Sequence, residues 1–236
     1  MEDRRNPLET KRNRWGWIFV APGILFFSAF SLYPILYAIW TSFHNKKLLS
    51  LKPPKFIGLQ NWISVLSSQD FWNSVRASAV FCVGVFVPVF LGSLLFALLI
   101  SSRKKGKRFY QMALYSPAIL SSVVTASVWL LIFDPRGLAN QFLNTLLGTP
   151  GIDHKWLADA AMVQLSTILV YVWKQIGYYT ILFGTGIGKI PSSFVEASMI
   201  DGANSWQRLT RITLPLLRPT MALVSVMIFI SSLKTF

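Results

Sequence analysis

The sequence predicts an all-α protein that crosses a membrane several times, and three observations carry that reading. Of 236 residues, 53% are hydrophobic and only 14% charged, with a mean hydropathy of +0.49. A soluble domain carries about a quarter charged residues. The charges are also segregated, with none over residues 15–43, 77–102 or 109–133. Each run exceeds the roughly 20 residues that a helix needs to cross a bilayer. Finally, the runs do not alternate apolar and polar residues as barrel strands do. A lipid-exposed backbone must satisfy its own hydrogen bonds, which leaves helices.

The elements follow in order. A basic tail, residues 1–16, holds Arg4, Arg5, Lys11, Arg12 and Arg14. The apolar run after it is too long for a signal-peptide core and lacks a cleavage site, so it reads as an uncleaved first span, about 17–41. Pro22 and Pro34 inside it predict kinks, which membrane helices tolerate when neighbours satisfy the freed carbonyls. Lys52-Pro53-Pro54-Lys55 is an extended connector. Trp62, Phe71 and Trp72 then fit an interfacial aromatic belt with a short surface helix. Span two covers about 77–101 and span three about 109–133, joined by the tight basic loop SRKKGKR. The loop 134–159 leads to span four, about 160–188, broken only by Lys174. The polar loop 189–214 leads to span five, about 215–235, with Arg218 near its start.

Lysine and arginine set the orientation. The tail, the loop with Arg103, Lys104, Lys105, Lys107 and Arg108, and the loop with Lys189, Arg208 and Arg211 are alternate connections and read as cytoplasmic. The loop 134–159 has only Arg136 and Lys155 and reads as external. Lys46, Lys47, Lys52 and Lys55 after span one pull the other way, but three loops outweigh one. The net charge of +14 is then topological and matches loops facing anionic lipid. A nucleic-acid partner would want a basic face on a soluble fold, so none is expected. With Cys82 alone, no disulfide framework or cysteine metal cluster is possible.

The most informative stretch is 193–215, SFVEASMIDGANSWQRLTRITLP, which holds two acids, two arginines and a glycine between apolar spans. Ser193 and Glu196 have capping-box spacing, so a helix is expected to begin after Ser193. Gly202 interrupts it where a bend is cheap. Asn204 or Ser205 then caps a second short helix, Trp206 to Thr213, which Pro215 ends or replaces with the next. On this reading alone, the loop is two amphipathic turns on a membrane surface.

The spacing E-A-S-x₃-G-x₉-I-x-L-P resembles the cytoplasmic EAA loop of permease subunits of binding-protein-dependent ABC importers. Ser198 stands where that family usually has a second Ala, and it is equally small. The resemblance implies that Glu196, Ala197, Ser198, Ile200, Asp201, Gly202, Ile212, Leu214 and Pro215 couple the chain to an ATPase subunit. Gly58-Leu59-Gln60-Asn61-Trp62, Asp70-Phe71-Trp72-Asn73, Gly137-Leu138-Ala139-Asn140 and Val172-Trp173-Lys174 look like the carbohydrate-uptake branch. The likeness runs from about Trp17 onward. It implies the type I ABC importer permease fold, five spans visible of an expected six, with the sixth beyond Phe236. It also implies a prokaryotic inner-membrane location. The implied partners are a second homologous permease, two ATP-binding subunits and an extracytoplasmic solute-binding protein. ATP and Mg would sit on those ATP-binding partners, with no cofactor in this chain. ATP-driven closure of the partners would move the coupling helices and switch the pathway from outward to inward opening. The implied solute is a sugar, an oligosaccharide or glycerol phosphate.

No catalytic constellation is legible. His44 and His154 lie apart in loops, and neither a zinc-protease motif nor a phosphate-binding P-loop occurs. Gly184, Gly186 and Gly188 suit close helix packing or a flexible exit. Lys174 is the one ionisable group deep within a span, where charge is costly and functional by default. With Tyr171, Trp173, Gln175 and Tyr178 it would line a solute pathway, aromatic faces beside hydrogen-bonding groups. The competing reading gives Lys174 a packing or subunit-interface role, paired to a carbonyl or to a partner's acid. Two other functions share parts of the pattern. One is an importer of amino acids or peptides, which has the same loop. The other is a polytopic membrane enzyme or anchor subunit, which would cluster polar residues within spans.

Overall fold

The computed structural model describes residues 7–46, 53–103 and 105–235. Arg4, Arg5, Lys47, Lys52, Lys104 and the terminal Phe236 lie outside the described residues. The chain divides into two compact units, residues 1–74 and 75–236.

The first unit is built on one long apolar rod. Helix α1 (Pro7–Phe27) passes through a π-turn, π1 (Ser28–Leu32), into α2 (Tyr33–Ser42). The π-turn has a cause in the sequence. A helical proline collides with the carbonyl four residues back, here that of Phe30. Widening the preceding turn, with the Tyr33 N–H donating to the Ser28 carbonyl, relieves that contact two residues before Pro34. At Pro34, where a kink is expected, the structure shows this widened turn within a continuous span. A two-residue ribbon follows, β1 (His44–Asn45) antiparallel to β2 (Lys55–Phe56). Helix α3 (Gln60–Leu66) is the expected short surface helix. It is tied back by Asn61, whose amide donates to the Ser42 and His44 carbonyls at 2.8 and 3.2 Å.

The second unit packs helices around the stripe of α4 (Gln69–Ser101) that carries Phe81, Val85, Val89, Ser93 and Ala97, a run of steps of four. This stripe meets Tyr179 and Phe183 of α8 (Ala160–Gly188) and Leu217, Val224 and Ile228 of α11 (Leu214–Leu233). Glycines set the spacing. Helix α5 (Lys107–Ile119) presses its backbone against α8 at Gly177, where a Cβ would collide with the Leu114 carbonyl. Gly84 and Gly92 make room for Ile168 and Ile176, and Gly186 for Thr220. This is small-residue packing of the kind membrane helices use where the hydrophobic effect gives no help. Polar clamps accompany it: Cys82 Sγ and Ser232 Oγ lie 3.2 Å apart, and Gln164 donates to the Ala77 carbonyl at 2.8 Å.

The single span expected over 109–133 is a broken one. Helices α5 and α6 (Ser122–Ile132) meet at 96°. Pro117 removes the donor for the Ala113 carbonyl, which the Ser116 hydroxyl takes over at 2.9 Å. Leu120 and Ser121 are extended, and Ser121 Oγ accepts the Val124 N–H at 3.3 Å as the cap of a new helix. Residues Trp15–Ser42, Gln69–Ser101 and Ser205–Leu233 are each long and apolar enough to cross a membrane, and the bent pair makes a fourth crossing if counted as one. Helix α8 is more polar, yet its 29 residues extend about 43 Å at 1.5 Å per residue.

The loop between α6 and α8 is itself folded. Helix α7 (Leu138–Leu147) ends at Gly148 in the left-handed conformation. Asn140, 2% exposed, organises the loop. Its amide donates to the Pro135 carbonyl and Asp153, and its oxygen accepts from the His154 N–H and Trp156 Nε1.

Candidate functional site

The loop after α8 makes a helix, a sharp elbow and a second helix. Helix α9 (Ser192–Ile200) begins two residues earlier than expected, with Pro191 at its cap position. The capping box expected of Ser193 and Glu196 does not form, because Ser193 already lies inside the first turn and no side chain caps this end. Glu196 is left exposed, on the wall of a 640 Å³ cleft that also includes Lys107, Gln111 and Met199. Ser198 is buried, its hydroxyl donating to the Val195 carbonyl at 2.6 Å, so position 198 accepts only a small residue.

Gly202 makes the elbow, with φ +75°. The Ala203 N–H donates to the Ser198 carbonyl at 2.9 Å and the Gly202 N–H to that of Met199 at 3.1 Å. This pair of bonds is the Schellman closure, which needs a left-handed residue in the position Gly202 occupies. Asn204 then caps α10 (Ser205–Arg208) in a reciprocal box with Gln207, at 2.8 and 2.9 Å. The second helix does not stop at Thr213. It continues through a π-turn, π2 (Leu209–Thr213), into α11, again two residues before a proline, Pro215. The widened turn spares the Arg211 carbonyl the clash that would otherwise break the rod. Ile212, Leu214 and Pro215 are half-buried at this junction, whereas Ala197 and Asp201 are exposed. Ile200 and Trp206 are 87% and 70% exposed, large apolar groups offered at a polar loop.

The mid-span residues of α8 divide among three environments. Tyr171 packs edge-on against Phe81 at 5.7 Å, at the margin of the core. Trp173 meets Trp129 edge-on at 5.6 Å. The Lys174 ammonium reaches the Ser122 hydroxyl at 3.5 Å, at the start of α6 beside the break. Gln175 and Tyr178 line a 580 Å³ cavity between α5, α8 and α11, together with Tyr115, Ser231 and Lys234. Sequence reasoning missed those last three. Their signal is helical spacing: Tyr115 and Ala118 on α5, and Met227, Ile230, Ser231 and Lys234 along the end of α11 and past it, each share one face. Ser231 spends its hydroxyl proton on the Met227 carbonyl at 2.6 Å, so the 2.9 Å bond to Tyr179 has the phenol as donor. The cavity thus offers an amide, phenols and a cation beside apolar walls. That set can donate to and accept from hydroxyl groups.

Residues 84–236 match the family described as binding-protein-dependent transport system inner membrane component. The probable ABC transporter permease protein YesP of Bacillus subtilis is 35% identical over 231 residues, covering 96% of this chain and 72% of that protein. The trehalose/maltose transport system permease protein MalF of Thermococcus litoralis is 29% identical, covering 97% and 77%. Among solved structures, a bacterial ABC transporter involved in the import of the acidic polysaccharide alginate superposes with a TM-score of 0.79 at 23% identity, over 96% of this chain and 76% of that one. This last likeness speaks to the fold.

Proposed function

Because this chain belongs to the family of binding-protein-dependent inner-membrane transport components, and is a multi-pass transport subunit, we propose that it forms half of the solute pathway of an ATP-driven importer. A second, homologous permease supplies the other half. Two ATP-binding subunits, which carry the ATP and Mg, dock on α9 and α10, and an extracytoplasmic binding protein delivers the solute. The N-terminus and the loops holding Arg103 and Gly202 face the cytoplasm.

One observation carries the mechanism. The segment that presents Trp206 is the same unbroken rod that ends at the cavity, Ser205–Leu233. Twenty-nine residues span about 43 Å at 1.5 Å per residue. Movement imposed on α10 therefore reaches Ser231 without crossing a hinge in α11, while the Gly202 elbow lets α9 and α10 seat together. Glu196, Ala197, Ser198, Ile200, Asp201, Ile212, Leu214 and Pro215 are the coupling residues. Gln175 and Tyr178 contact solute, Tyr171 and Trp173 shape the pathway from behind, and Lys174 holds the α5–α6 break.

The solute is a sugar or an oligosaccharide, with glycerol phosphate as the further member of that class. The hydroxyl-directed cavity and the trehalose/maltose name of one relative support this reading. Affinity purification of the full chain from its native membrane should recover a second permease and ATP-binding subunits. Recovery without any ATP-binding protein refutes the assignment. ATP hydrolysis by the reconstituted complex should rise when the binding protein carries an oligosaccharide. A rise with amino acids or peptides instead would move the solute class. Ser102→Cys should react with a membrane-impermeant thiol reagent only from inside, and Thr149→Cys only from outside; the reverse pattern overturns the orientation.

A further inference from the structure

The connection after the first span is the one whose charge runs against the topology. Lys46, Lys47, Lys52 and Lys55 lie there, on the side of the membrane that the positive-inside bias leaves poor in lysine. At Lys46 the fold builds a pocket of 450 Å³, within the first unit, whose polar walls come from Tyr37, Thr41, His44, Asn45, Lys46 and Asn61.

The pocket is held by main-chain pairing and by one side-chain amide. The β1–β2 ribbon, the Ile57 N–H donating to the Phe43 carbonyl at 2.9 Å, and the two Asn61 bonds fix its rim. The Lys46 ammonium donates to the Tyr37 hydroxyl and sits 4.8 Å from the centre of that ring. Neither contact neutralises it. His44 stacks on Trp40 at 4.0 Å and meets Phe56 edge-on at 5.3 Å. Its Nδ1 lies 2.7 Å from the Trp40 carbonyl and, since a carbonyl only accepts, donates to it. Trp40, Tyr37 and Trp62, the last donating to Ser42 Oγ at 3.3 Å, surround the site. Aromatic residues of this kind mark headgroup depth at the end of a span.

We propose that this pocket at the end of α2, built on Tyr37, His44, Lys46 and Asn61, binds the phosphodiester of an anionic phospholipid headgroup. A cation with no carboxylate partner among the described residues, aromatic groups at headgroup depth and a walled polar volume are what such a group requires. The chemistry of the pocket is independent of the transport reading. Only the leaflet, the outer one, rests on the orientation proposed above, and the cysteine labelling tests that separately.

The test uses the assembled transporter, delipidated in detergent and titrated with dioleoyl-phosphatidylglycerol while native mass spectrometry counts retained lipid. The expected result is a saturable lipid on the wild-type complex and about five-fold weaker retention in Lys46→Gln, the effect of one lysine near a lipid surface. Lys55→Gln, on the neighbouring strand but off the pocket wall, should leave retention unchanged. Phosphatidylcholine should not saturate the site. Equal losses in both lysine variants would mean diffuse surface attraction and overturn the pocket. Displacement of the lipid by millimolar inorganic phosphate would assign the site to a free anion and overturn the lipid reading. So would a Lys46→Gln complex that keeps its lipid but loses stimulation by the binding protein, since the surface would then serve a protein. Lys46 is exposed, so the variant should assemble normally, and thermal melting of the complex checks this.

Discussion

Gly202 is the residue at which a small change should cost most in function and least in folding. Its φ is +75°, and nothing lies within 4 Å of where a Cβ would be. The cost of a side chain is therefore conformational, with no steric part. A left-handed residue other than glycine costs about 1–2 kcal/mol, and less for Asn. Gly202→Ala should thus lower the fraction of competent elbow by roughly 5- to 30-fold where an alternative loop conformation competes, and weaken docking of the ATP-binding subunit by the same factor. Gly202→Asn should lie between Ala and wild type. Gly202→Pro forces φ to about −65° and removes the N–H that bonds the Met199 carbonyl, so it should abolish docking. Membrane insertion should be normal in all three. The assay is solute uptake in membrane vesicles, with co-purified ATP-binding subunit measured against total chain. The order glycine, asparagine, alanine, proline is the signature of backbone geometry. Wild-type uptake in Gly202→Pro, or Gly202→Asn worse than Gly202→Ala, would refute the argument.

The sequence announces the apolar rods and the elbow because each rests on local chemistry. Charge-free runs mark α4 and the first span, and the left-handed turn at 202 needs a glycine whatever surrounds it. The break between α5 and α6 was equally written, in Pro117 and Ser121, but a hydropathy reading does not see it, since both residues sit in an uncharged run. The capping box at Ser193 failed for a different reason. Helix α9 starts at Ser192 after Pro191, which places Ser193 two residues past the cap position. Likewise Pro215 ends nothing, because π2 absorbs its ring. The cavity was half legible. Gln175 and Tyr178 stand out within their own span, whereas Tyr115, Ser231 and Lys234 join them only through tertiary packing. Tyr171, Trp173 and Lys174 are neighbours in sequence, but successive helical residues point 100° apart, so they reach different surroundings.

The remaining predictions separate packing from function. Gly177→Ala should destabilise the purified complex by several kcal/mol, because its Cβ meets backbone at Leu114. Gly188→Ala, with nothing within 4 Å, should melt within a degree or two of wild type, and equal melting of the two variants would refute the contact. Asn140→Ala strands the Trp156 indole N–H and the His154 amide, each costing about 1–3 kcal/mol. Limited proteolysis should then cut within 134–159 while the helices persist; an uncut loop would mean that Asn140 is not its organiser. The last comparison sets Gln175 against its neighbour. Gln175 faces the 580 Å³ cavity, and Lys174 faces Ser122 at the helix break. Gln175→Ala should raise the KM for solute several-fold with assembly intact, since a lost hydrogen bond to a neutral group is worth about 0.5–1.5 kcal/mol. Lys174→Met should leave KM and solute preference unchanged and instead lower the yield of assembled complex, because the α5–α6 elbow loses its tether. If Lys174→Met alters selectivity among solutes in complexes that assemble normally, the ammonium reaches the solute, and the separation of these two adjacent residues into pathway and scaffold is wrong.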